Sequence, residues 1–149
     1  MRAVIQRVSQ ATVTIGGAVI GSCGPGLVLL VGVHRTDTPT QAAKLADKIA
    51  GLRIFNDLAG KMNLALGDLA TSEAPNILAI SNFTVYGDTA KNRRPSFIES
   101  AGFNEARMLF DTFVTELRNR GQRVETGEFG AHMEVALTND GPVTLILDV

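Results

Sequence analysis

The sequence predicts an α+β fold: largely antiparallel β-sheets with two main helices packed on one side, as a layered ββα sandwich. Three observations carry this. Alternating and continuous apolar runs fill residues 3–33 and return near the C-terminal end. Only two segments place apolar residues at helical spacing, one opening at Thr38 and one spanning 103–117. The resulting order, β-rich, α, β, α, β-rich, is that of segregated elements. At 149 residues, with 45% apolar and 19% charged side chains, the chain can bury a core as one domain, 1–149, without staples.

In chain order, residues 1–33 read as three or four strands. Ala3-Val4-Ile5-Gln6-Arg7-Val8 is apolar, with a long basic side chain at Arg7. Ala11 to Ile15 alternates, Gly16-Gly17 is a two-residue hairpin signal, and Ala18 to Gly21 returns. Gly24-Pro25-Gly26 makes the next turn; it lacks the Lys-Ser/Thr of a phosphate loop. Leu27 to Val33 is continuously apolar, as in a strand covered on both faces.

Thr38-Pro39-Thr40-Gln41 opens the first helix with an N-cap, a proline at the first helical position and Gln three residues after the cap. Ala42, Leu45, Ala46, Ile49 and Ala50 form its apolar stripe. A short strand at 53–57, a turn at Gly60 and an irregular segment through Pro75 follow. Residues 76–86 are the most β-prone run in the middle of the chain, which puts Ser81 and Thr84 on opposite faces of an extended strand. A polar loop carries Lys91, Arg93 and Arg94. Phe103, Ala106, Phe110, Phe113 and Leu117 define the second helix, closed by Gly121. Val124 and a turn-like Thr126-Gly127 lead to two final strands, 133–137 and 143–149, separated by Asn139-Asp140-Gly141-Pro142. That separator fits a plain hairpin turn, and also a Gly-Pro turn with a special role.

Composition narrows the function. The net charge of −1 gives no global field for nucleic acid, so a polyanion contact needs a local patch. Lys91, Arg93 and Arg94 are the best such patch; a solvated loop is the plain alternative. No apolar run approaches the roughly 20 residues of a membrane helix. Cys23, the sole cysteine, sits in a turn; it leaves no internal disulfide and fits a reducing cytoplasm. His34 and His132 read as strand-end residues rather than bases, and no HxxxH, HExxH or CxxC spacing exists, so neither metal nor cofactor is expected. Hydroxyls and main-chain groups are what remain, with Thr84 equally readable as a site residue or as β-branched filling.

Several stretches, in order from residue 1 to residue 144, resemble the D-aminoacyl-tRNA deacylases. They include Met1-Arg2-Ala3-Val4-Ile5-Gln6-Arg7-Val8, Ser81-Asn82-Phe83-Thr84-Val85-Tyr86-Gly87-Asp88, Lys91-Asn92-Arg93-Arg94-Pro95-Ser96-Phe97, Thr126-Gly127-Glu128-Phe129-Gly130-Ala131-His132-Met133, and Asn139-Asp140-Gly141-Pro142-Val143-Thr144. The resemblance implies an obligate homodimer with active sites at the subunit interface. It would hydrolyse the ester of a D-amino acid, or of mischarged glycine, to the 3′-terminal adenosine of tRNA. Ser81, Asn82, Phe83 and Thr84 match one pocket motif, and 139–144 match the other. The family's Gly-Pro bond is cis and enters the partner's pocket, which assigns Gly141 and Pro142 the exclusion of L-side chains, with Arg7 orienting them. Main-chain N–H groups around Phe83 and Thr84 are expected to stabilise the oxyanion, helped by the tRNA 2′-hydroxyl, with a Thr84 nucleophile as second choice. Phe129 and Met133 would line the adenosine and amino-acid pocket, and Lys91, Arg93 and Arg94 would meet terminal phosphates.

Two departures stand out: Asn82 where the family usually has Gln, and Val85 where it has Leu. Asn keeps the same donors and acceptor with less reach. The competing function is a non-catalytic nucleic-acid-binding dimer of the same fold.

Overall fold

The computed structural model describes residues 1–69 and 76–149; the last part of the irregular segment read through Pro75 lies outside them. Its first strand, β1 (Arg2–Ile15), is one continuous element rather than two, and β2 (Ala18–Cys23) and β3 (Gly26–Gly32) follow. β1 turns into β2 at Gly16-Gly17, both at positive φ, and pairs antiparallel with β2, β3 and the C-terminal strand β8 (Glu134–Asp148). Helix α1 (Pro39–Ala50) starts on a capping box in which the Thr38 hydroxyl oxygen accepts from Thr40 N and the Gln41 side chain reaches back to Thr38 N. A small ladder of β4 (Phe55–Asn56) and β5 (Met62–Leu64) comes next. Then follow β6 (Ile77–Ser81), α2 (Phe103–Asn119) and β7 (Val124–Thr126).

Several sequence expectations change here. The sheet is mixed: β6 runs parallel to β3, and β7, which ends at the Thr126 expected in a turn and was not expected as a strand, runs parallel to β6. Each of these crossovers carries a helix, the connection that parallel pairing requires. The strand expected over 53–57 reduces to Phe55 and Asn56. The run 76–86 is not extended throughout; β6 stops at Ser81, and Phe83–Tyr86 is a short 3-10 helix. The two final strands are one. β8 pairs with β1 on both sides of residues 140–143, which bulge out opposite Arg7, so no hairpin forms there. Cys23 ends β2 and is buried, not in a turn.

Strand alternation explains the layers. Odd residues of β1, β3 and β6 (Ala3, Ile5, Leu27, Leu29, Val31, Ile77, Ala79) pack with Leu45 and Ile49 of α1 and Phe113 and Leu117 of α2. The opposite face, with Val28, Leu78 and Ile80, packs against Val13, Cys23, Val135 and Leu137. β3 and β6 are therefore covered on both sides, which is why they read as unbroken apolar runs. The sheet also curls, since the Ser22 N–H donates to the Glu125 carboxylate of β7 at 2.6 Å. No described helix is long and apolar enough to cross a membrane.

Burial pushes the Cys23 thiol up to about 11. The native protein at pH 8 should therefore leave a disulfide reagent unreacted for as long as it stays folded, and consume it on unfolding in urea. Rapid labelling of the native protein would contradict this packing.

Candidate active site

A cleft of about 630 Å³ opens where β6 ends. It is lined by Leu30, Val31 and Ile80, by a wall of Ser81 through Thr84, and by a second wall in which Phe103, Phe110 and Phe129 pack together beside Met133. Ser81, Asn82, Phe83, Thr84, Phe129 and Met133 thus share one cavity. His132 lines it too, and it is the one titratable side chain among the described lining residues. Sequence reasoning discounted His132 because nothing local tells a strand-end histidine from a cleft-lining one.

The wall at 82–86 is built by short-range hydrogen bonds. Asn82 is the extended N-cap of the 3-10 helix, and its Oδ1 accepts from Thr84 N at 3.1 Å and from the Thr84 hydroxyl at 2.5 Å. This is the bonding for which Asn is favoured at caps, and it gives the shorter amide a local partner. It also alters the chemistry available. The Thr84 N–H already has an acceptor, whereas Phe83 N–H has none among the described residues. The Thr84 hydroxyl donates to an amide oxygen, which is no base, so nothing here activates it as a nucleophile. Two further bonds fix the turn from outside: Ser100 Oγ donates to Phe83 O at 3.1 Å, and Arg2 Nη1 to Val85 O at 3.2 Å. Phe97 packs edge-on against Phe83 at 5.0 Å.

Arg7, Gly141 and Pro142 lie elsewhere. Arg7 sits in the row Arg7–Leu27–Ile77, whereas Ser81 lies four residues further along β6 and three ladders away from β8. At strand spacings the 139–144 turn stands roughly 20 Å along the sheet from its own chain's cleft. The turn is tightly specified all the same. Asn139 closes it: its Oδ1 accepts from Val143 N at 2.8 Å, and its Nδ2 donates to Val143 O at 3.1 Å and to the Thr144 hydroxyl at 3.2 Å. The Gly141-Pro142 peptide is cis, and Gly141 has φ +140°; a Cβ there would lie 2.7 Å from Val143 N. Both residues face solvent.

Arg7 is buried and charged, which is tolerable only with partners around the guanidinium. Its Nε donates to Asp140 O at 3.0 Å and lies 3.2 Å from the Asp140 carboxylate. Nη1 donates to Ile54 O at 2.7 Å and Asn56 Oδ1 at 3.2 Å. The turn is thereby tied to the segment after α1. Lys91, Arg93 and Arg94 are exposed at the tip of a loop closed by the Asp88–Ser96 bridge, and they make no ion pair among the described residues. Among those residues no cluster of His, Cys, Asp or Glu is arranged to hold a metal ion.

With this geometry in hand, comparison with known proteins is decisive. The sequence profile of the D-Tyr-tRNA(Tyr) deacylases matches residues 4–148, and the chain belongs to that family. It is 56% identical over 148 residues to a D-aminoacyl-tRNA deacylase of Thermomicrobium roseum, covering 99% of this chain and 94% of that one. To the D-aminoacyl-tRNA deacylase of Deinococcus deserti it is 53% identical, covering 100% and 99%. Among solved structures, a c-Myc DNA unwinding element binding protein superposes with a TM-score of 0.90 at 35% identity, over 100% of this chain and 99% of the other. A probable eukaryotic D-amino acid tRNA deacylase shares the fold, with a TM-score of 0.75 at 15% identity over 99% and 98% of the two chains.

The Asn82 cap makes a local prediction. Asn82→Ala should lower stability by about 1 kcal/mol, the usual cost of a lost cap, whereas Asn82→Asp, which keeps the acceptor, should stay within a few tenths. Equal midpoints for both variants in urea denaturation would mean that the cap does not hold the turn.

Proposed function

We propose that this chain is an editing hydrolase that cleaves the ester of D-aminoacyl-tRNA, and of mischarged glycyl-tRNA, to free amino acid and tRNA. The observation that carries the reading is family membership over nearly the whole chain, together with a cleft that gathers the 81–84 turn and Phe129. A planar base stacked on Phe129 is worth about 1–3 kcal/mol without sequence preference, which suits a universal terminal adenosine. The ester carbonyl then lies against the 82–86 wall, where Phe83 N–H is the donor left to meet a developing oxyanion. Water is the nucleophile, and the 2′-hydroxyl of the substrate's own ribose assists it. Lys91, Arg93 and Arg94 meet the terminal phosphates, so a net charge of −1 is no obstacle.

The working unit is a homodimer. Two features support it: among the described residues β8 pairs only with β1 and exposes Leu145 and Ile146, and the 139–144 turn is solvent-facing and remote from its own cleft. A second copy brings the turn to the cleft, where main-chain carbonyls receive the substrate's α-ammonium. Gly141 and Pro142 then occupy the space an L-side chain would need. A D-side chain or the hydrogen of glycine points away from them. Selectivity of this kind is exclusion by main chain, and Arg7 sets where the wall stands.

A second reading has one specific observation behind it, the 35% identical structure described as binding a DNA unwinding element. On that reading the chain binds nucleic acid without turnover. Incubation with D-tyrosyl-tRNA and L-tyrosyl-tRNA separates the two: the editing hydrolase releases D-tyrosine and leaves the L-ester intact. Binding without ester loss favours the second reading, and equal loss of both esters removes the chiral wall.

A further inference from the structure

We propose that Phe103 forms a second base-stacking subsite at the mouth of the cleft, taking the nucleotide that precedes the terminal adenosine; this rests on the deacylase reading above. The chain has seven phenylalanines, and the two exposed ones, Phe83 at 57% and Phe103 at 59%, both line this one cleft. Single exposed apolar side chains need no explanation, but large rings converging on one opening mark a binding surface. Phe103 is the first residue of α2, reached from an extended Gly102, and at that helix end its ring stands at the cleft rather than under the helix.

Its ring is seated, not loose. Gly130 leaves the space it occupies, for a Cβ there would come within 2.5 Å of Phe103 Cε2, and Gly130 has φ +80°, a conformation side chains rarely adopt. Phe103 meets Phe129 edge to face, with centroids 5.1 Å apart and planes at 80°. Rings so inclined cannot sandwich one base between them. A base lying flat on Phe129 leaves Phe103 to a different planar group, and at 5.1 Å that group belongs to the adjoining nucleotide of the same strand. The basic loop tip is anchored on the other wall, through Phe97 packed on Phe83, so the strand's phosphates have cations beyond the rings. Base-on-aromatic stacking tolerates any base and suits an unpaired end.

The test compares D-tyrosyl-tRNA with D-tyrosyl-adenosine, which has no preceding nucleotide. Phe103→Ala and Phe103→Leu should each raise KM for the tRNA ester about tenfold, the size of one lost stack, with kcat within twofold. Phe103→Leu, which keeps an apolar side chain beside Phe129, should raise KM for D-tyrosyl-adenosine less than about threefold, and Phe103→Trp should keep KM for the tRNA ester near that of the wild type. Equal losses on both substrates would reduce Phe103 to a support for Phe129 and overturn the inference, as would no loss on either. If the wild-type protein hydrolysed neither ester, the deacylase reading itself would fail and take this subsite with it.

Discussion

The interaction on which the rest depends is that of the buried Arg7 guanidinium with the 139–144 turn. A charge sealed inside a sheet is costly unless its donors are met, and here they are met by Asp140 on one side and by Ile54 and Asn56 on the other. Where Asp140 meets them, β8 has left its ladder with β1. The register gap between Val8–Asn139 and Gln6–Thr144 is that departure. Asn139 then closes the loop within itself, so the exposed Gly141 and Pro142 are held from below and from the side. An exposed loop fixed on two sides can act as a rigid surface for something else.

At the other end of the sheet a second small device does comparable work. β6 ends at Ser81, and Asn82 turns the chain into a 3-10 helix whose outer bonds run to Ser100 and Arg2. The cap consumes the N–H of Thr84 and leaves that of Phe83. With no carboxylate among the described lining residues, the cleft offers main-chain polarity, hydroxyls, one imidazole and aromatic surface. On the proposed reading, such a site would rely on positioning and on the substrate's own groups rather than on a strong protein base.

Much of the fold was legible in the sequence, for identifiable reasons. The capping box at Thr38 and Gln41 is a local code, and α1 starts where it says. The unbroken apolar run of β3 signalled a strand covered on both faces, and helix and sheet do cover it. Strand direction was not legible. β6 and β7 lie parallel to β3 because helices bridge them, a matter of topology that alternation does not encode. The end of β6 was missed because Phe83, Thr84, Val85 and Tyr86 are all β-prone, and what diverts them is the Asn82 side chain, bonding two residues ahead, with Ser100 and Arg2 from outside. The 139–144 turn was misread locally for the converse reason: Asn-Asp-Gly-Pro is hairpin chemistry, but β1 is long enough to pair with both flanks. Of the site itself, periodicity and spacing supplied hydroxyls and a basic loop, and family resemblance supplied their grouping. His132 read as a strand-end residue and Phe103 as part of a helix stripe, since which cavity a side chain reaches is not written in its neighbours.

The central claim is that the turn of one chain completes the cleft of another. The direct measurement mixes two variants, each inactive alone, one damaged in the 139–144 turn and the other in the 82–86 wall, and follows D-tyrosyl-tRNA hydrolysis after subunit exchange. Half the dimers would then be mixed, and each mixed dimer would hold one site with an intact cleft and an intact turn, so about a quarter of wild-type activity should return. Activity no higher than that of either parent would contradict the account.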